Sequence, residues 1–279
     1  MTHPARRLWQ RLEALHDVLY FVPEVRDAGR GTGLAGYWMT YFAFRAAPLG
    51  RVDAAAVTAT FAVFDPGMVG RALPEAWART TPRTCLATRL KVGGGALRRI
   101  GVDEQACAAA VELLAPVAAA ADPTGRALGA ANAAIELPDD PVGALWQLAG
   151  TFREHRGDGH IAAFVAAGLS GLEAHFLRSG GTESARTVRG WSERAWADCA
   201  ERLRANGLLD ADNEQTADGR ARLASIERTT DELAWSGALA VLGTDGVDTV
   251  TDLLTPSVDA VWAAGILPAD NPTGLVRPA

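Results

Sequence analysis

Apolar residues recur at three- and four-residue intervals in one segment after another of this chain, and that period commits it to packed helices before any motif is considered. Leu8, Trp9, Leu12, Leu15, Val18 and Leu19 make one buried helical face, which Phe21-Val22-Pro23-Glu24 ends because proline restricts the residue before it. After a glycine-rich loop at 29–36, Tyr37 to Ala47 is apolar nearly all round and stops at Pro48, so this helix belongs in a core or on a cavity wall. Val52–Phe64, Asp65–Arg79 and the alanine-rich Val102–Ala121 continue the pattern, with Asp53 in a first turn and Asp65-Pro66 as cap and first residue. One stretch departs from it: Cys85 to Val92 alternates and Gly93-Gly94-Gly95 follows, which predicts a small hairpin and its turn.

Asp122–Gly125 and Pro138–Pro141 bracket a short element holding Asn132 and read as a hinge. Beyond it a helix carrying Leu145, Trp146, Leu148, Ala149 and Phe152 leads into Arg153-Glu154-His155-Arg156-Gly157-Asp158-Gly159-His160, six ionisable side chains around two glycines. Gly157 and Gly159 predict a break there, with Asp158 as structural N-cap of a second apolar helix, Ile161–Leu177. Ser179–Thr187 reads as a polar loop. Ser192 then caps a helix with Trp196, Cys199, Ala200 and Leu203 on its buried face, and Asn206-Gly207 ends it. Leu208-Leu209 predicts a short strand and Asp210–Glu214 a turn. Thr216 or Asp218 caps a helix through Leu223, Ile226 and Thr230 to Leu233, and Gly246–Ala264 predicts the last one.

Helix, short strand, polar turn and long helix is the winged helix-turn-helix order, and Leu203-Arg204-Ala205-Asn206-Gly207-Leu208-Leu209 resembles the helix end and wing of MarR-type domains. Leu15-His16 to Pro23-Glu24, Phe44–Gly50, Ala130-Ala131-Asn132 and Arg153–His160 look like an actinobacterial helix-turn-helix-type family, which supplies a fold expectation and very little mechanism. Gly36–Gly50 also resembles Gly159–Gly171, and Asp65–Arg79 resembles Ser192–Asn206. The expected fold is therefore mainly α: a tandem, pseudo-duplicated pair of winged helix-turn-helix-like units with small β-hairpin wings. Residues 1–138 are the degenerate N-terminal half and 139–279 the C-terminal winged-helix half.

The net charge of −6 repels a phosphate backbone at long range. The predicted recognition helix from Ser192 is close to neutral and its wing, Asp210-Ala-Asp-Asn-Glu214, is acidic, so nucleic acid is an unfavourable partner. Cys85, Cys107 and Cys199 lack ligand spacing and suit free thiols, no run reaches membrane-helix length, and no apolar signal core follows the N-terminus. These features predict a cytoplasmic protein, a monomer (pseudo-dimer) or homodimer. Gly93-Gly94-Gly95 lacks the strand and terminal lysine of a phosphate loop, and no dinucleotide fingerprint or nucleophile elbow is present, so no cofactor is expected.

His16, Tyr37, Trp38, Tyr41, Arg45, Trp146, Phe152, His155, Arg156 and His160 are the candidate ligand-binding residues, lining a cavity between the halves for a small aromatic or amphipathic molecule. A sensor or sequestering protein follows from that reading. Arg45 needs a counter-charge, with Glu24, Asp65 and Asp158 in view. Alternatively His155 or His160 pairs with Glu154 or Asp158 as acid and base in an enzyme, or the chain is a MarR-like transcription regulator. No metal is expected: His155 and His160 are five residues apart, off the i, i+4 helical spacing, and only His16 or Glu24 offers a third ligand.

Overall fold

The computed structural model describes residues 2–277, which form fifteen α-helices and no β-strand. In chain order α1 (Pro4–Phe21), α2 (Glu24–Gly31) and α3 (Gly36–Ala46) lead into three short helices, α4 (Ala54–Thr60), α5 (Pro66–Ala72) and α6 (Glu75–Arg79). Then come α7 (Pro82–Arg99), α8 (Glu104–Ala119), α9 (Ala127–Ala133), α10 (Pro141–Ala166), α11 (Gly171–Ser179), α12 (Glu183–Val188), α13 (Glu193–Ala205), α14 (Ala217–Gly237) and α15 (Gly243–Ala263). Nine of these begin on an Asp, Ser or Thr whose side chain accepts from an amide of the first turn: Asp53, Asp65, Thr81, Asp103, Asp140, Ser170, Thr182, Ser192 and Thr216. Each such cap stabilises its helix by about 1 kcal/mol, so the starts follow local chemistry.

The axis of the molecule is α10, buried on nearly every side from Val142 to Thr151, with α1, α7, α8, α9 and α14 packed around it. One apolar cluster joins its N-terminal half to α1, α3, α7, α8 and α15; a second forms around its C-terminal end from α11, α13 and α14. The first cluster draws on residues 5–152 and again on 234–275, so the packing does not follow the 138/139 division. The loop after α4 ties the two clusters together: the Asp65 amide donates to the Arg189 carbonyl at 2.9 Å and Trp191 Nε1 donates to the Val63 carbonyl at 2.9 Å.

Several sequence expectations are corrected here. Gly157-Asp158-Gly159 does not break the helix, because α10 runs through it. A glycine costs a helix only about 1 kcal/mol, and close packing repays it: a Cβ on Gly159 would meet the Arg126 guanidinium at 2.6 Å. Asp158 is therefore no cap of its own helix; its Oδ2 accepts from the Leu128 and Gly129 amides at 2.9 Å and caps α9 from across the interface. Residues 85–95 form no hairpin: they lie inside α7, where Gly93 gives room to the Trp146 indole. Residues 29–31, the end of α2, and 183–187, in α12, are helical where the loops 29–36 and 179–187 were expected.

The wing is reduced to one antiparallel bridge, Leu209 with Gln215, around the 210–214 turn. The internal repeat has no structural counterpart. Gly159 lies within the last turns of α10 whereas Gly36 starts α3, and Asp65–Arg79 holds two helices where Ser192–Asn206 holds one.

Candidate functional site

A cavity of about 190 Å³ lies where the two apolar clusters meet, walled by α1, α3, α10, the loop after α4, α11 and the C-terminal segment. Because α10 is continuous, Arg153, Arg156, Gly157, His160, Ile161 and Phe164 fall at i, i+3, i+4, i+7, i+8 and i+11 and form one stripe facing it. From α3, Tyr37, Trp38, Tyr41 and Arg45 make the opposite wall, and α1 adds Trp9, Glu13 and Tyr20. The aromatic rings interlock: Trp38 and Tyr41 meet edge to face at 5.6 Å, and Tyr20 lies tilted against Tyr41 at 5.0 Å.

The polar part of the wall is a network of buried charges. Arg45 pairs with Glu154 through two 2.8 Å hydrogen bonds, Nε to Oε1 and Nη2 to Oε2, and its guanidinium lies 4.1 Å from the Phe61 ring. Its partner is therefore Glu154, not Glu24, Asp65 or Asp158; a continuous α10 turns Glu154 toward α3. Arg153 donates to the same carboxylate at 2.6 Å and to Glu13 at 3.0 Å, with Asp17 Oδ1 at 3.3 Å. Burial alone would raise the Glu154 pKa, but Arg45 and Arg153 hold it down to about 2. Asp17 goes the other way: burial and the Glu13 charge push it above the ordinary carboxylate range, against Arg153.

On the far side Arg156 donates to Asp231 at 2.9 Å and to Glu227 at 3.2 Å, and Arg6 shares both acceptors. Burial lowers the His160 pKa to about 4, against the pull of Glu227. Thr230 spends its hydroxyl proton on the Ile226 carbonyl at 2.8 Å, so it accepts from His160 Nδ1–H at 3.0 Å. That tautomer leaves Nε2 unprotonated near neutrality.

Of the ten residues expected to line a pocket, Tyr37, Trp38, Tyr41, Arg45, Arg156 and His160 line this one. Four do not. His16 and Trp146 stack on each other at 4.7 Å inside the first apolar cluster, since α1 and α10 cross there. Phe152 packs in the same cluster, and His155 faces α9, its Nε2 3.3 Å from the Asp122 carbonyl. His155 and His160 thus point to different neighbours, and among the described residues no three His, Cys, Asp or Glu side chains converge as a metal site.

Sequence reasoning missed Trp9, Glu13, Tyr20, Arg153, Arg178, Arg189 and Glu227 as lining residues. The spacing of Trp9, Glu13 and Tyr20 on one helix was a usable signal; nothing local marks Arg178 or Arg189. The three cysteines are buried and free, and burial pushes the Cys199 thiol up to about 12. Among the described residues no single helix is long and apolar enough to cross a membrane.

A sequence-family profile described as a helix-turn-helix family matches residues 5–268. No curated protein and no solved structure matches the chain.

Proposed function

The chain belongs to this helix-turn-helix family, and we propose that it acts as a small-molecule-binding protein, a sensor or a sequestering protein for an aromatic or amphipathic ligand. The observation that carries the reading is the cavity where the apolar clusters meet, with aromatic rings of α3 opposite an α10 face that carries Arg153, Arg156 and His160. Its charges are arranged before any ligand arrives, which keeps the ordering cost of binding low.

DNA binding is the weaker reading. On α13 two of the three arginines are already engaged, Arg202 with Glu173 at 3.2 Å and Arg204 with Asn213, while Arg194 is exposed with Asp198 3.9 Å away. Phosphates would have to displace these partners, and Asp210, Asp212 and Glu214 at the turn repel them. An acid-base enzyme in the same cavity is the second reading, supported by the unprotonated Nε2 of His160; under it His160→Gln abolishes turnover and leaves the fold intact.

Thermal shift against a metabolite library tests the binding reading. A ligand at about 100 times its Kd adds about 2.7 kcal/mol of stability. Absence of any stabilising ligand, together with salt-sensitive DNA binding, would overturn it.

A further inference from the structure

Five arginines line the cavity, and only three have carboxylate partners. Arg178 and Arg189 have none within salt-bridge distance among the described residues. Arg178 Nη2 donates to the Thr273 carbonyl, and Arg189 Nη2 donates to the Pro272 carbonyl at 3.1 Å, while Arg189 Nε has no acceptor at all. Neutral carbonyls are poor substitutes for a carboxylate facing a guanidinium. Arg189 is half-buried and Arg178, on the cavity wall, is exposed; the protein packed around their guanidiniums holds both below the ordinary arginine range.

The acceptors belong to the C-terminal segment, which folds back over the cavity mouth. Asn271 organises it, donating to the Pro268 and Leu275 carbonyls at 3.0 and 2.7 Å and accepting from the Leu275 amide at 3.0 Å. Gly274 has φ +68 and lies against the Arg178 guanidinium, so a side chain there would meet it. On the other side of the segment is a second cavity of about 240 Å³. Arg178 and Pro272 line both cavities, so this short piece of chain is a partition between them.

We propose that Arg178 and Arg189 are the anion subsite of the cavity, that they take the acid group of an aromatic or amphipathic anion, and that Pro272 and Thr273 occupy the subsite until such a ligand displaces them. The proposal rests on the reading of the cavity as a ligand site and adds the charge of the ligand to it. Displacement exchanges two neutral acceptors for an ionised one and joins the two cavities into a longer cleft for the apolar part of the ligand. The rings of Trp38, Tyr41 and Phe164 stand ready for that part.

Two fluorescent probes with one aromatic system separate the two ideas: anilinonaphthalene sulfonate, which is anionic, and phenylnaphthylamine, which is not. The expected result is one sulfonate probe bound per chain, about tenfold tighter than the neutral probe. Arg178→Gln and Arg189→Gln each weaken the sulfonate probe by about tenfold and change the neutral one less than about twofold. Gly274→Ala, which pushes the segment off Arg178, strengthens the sulfonate probe, and that probe speeds amide exchange across residues 268–277. Near-UV circular dichroism confirms that each variant is folded. Equal affinity for the two probes, or a sulfonate affinity unchanged in both arginine variants, overturns the anion subsite and leaves the cavity reading standing. Binding of neither probe ends both.

Discussion

At the residue scale the decisive fact is that ionisable side chains of the 153–160 run are divided among different neighbours. Glu154 satisfies two guanidiniums at once, so Glu154→Gln leaves Arg45 and Arg153 buried and short of counter-charge. Breaking a buried pair from one side costs about 3–5 kcal/mol, and urea unfolding at neutral pH should show a loss of that size. His160 supplies a pH signature. Its pKa falls from 6.5 to about 4 on folding, so the unfolded chain binds the proton more tightly and stability falls as pH drops through that window. Asp158, raised by burial to about 6, works in the opposite sense, losing stability as pH rises toward 6. The measurement is therefore a difference: the slope of stability against pH in the wild type minus that in His160→Gln, which is positive between pH 4 and 6.5 if the histidine is held neutral.

At the element scale, α10 shows how a local signal misleads. Two glycines flanking an aspartate are a reasonable stop, and Asp158 is a good cap in isolation. The helix continues because Glu154, His155, Arg156, Asp158 and Gly159 are all buried against other helices there and because glycine lets α9 and Arg126 approach. Its glycines are not equivalent to those facing it. At Gly157 the nearest obstacle to a Cβ is Glu154 Oε2 at 3.7 Å, whereas a Cβ on Gly129 of α9 would sit 2.6 Å from the backbone Cα of His155. Gly157→Ala should stabilise by about 0.5–1 kcal/mol, seen as a small rise in Tm. Gly129→Ala should lower stability by about 1–3 kcal/mol, because two helix backbones must separate. The opposite order of melting temperatures would contradict this packing.

At the scale of the molecule, α10 belongs to both apolar clusters, through Phe152 in one and Phe164 in the other. Neither cluster keeps its geometry without that helix, so thermal unfolding followed by far-UV and near-UV signals should give coincident curves. Separated transitions would mean that the clusters are independent domains. The sequence determined the helical class, the caps at Asp65, Ser192 and Thr216, the Gly207 helix end and the aromatic face of α3, since these depend on residues within a turn or two of each other. It also named Arg45, Arg156 and His160 at the cavity. Only the tertiary structure decided that α10 is unbroken, that 85–95 is helix, that Glu154 is the partner of Arg45, and that Arg178 and Arg189 meet Thr273 and Pro272. Those outcomes depend on which distant surface arrives at a residue, and local spacing carries no trace of it.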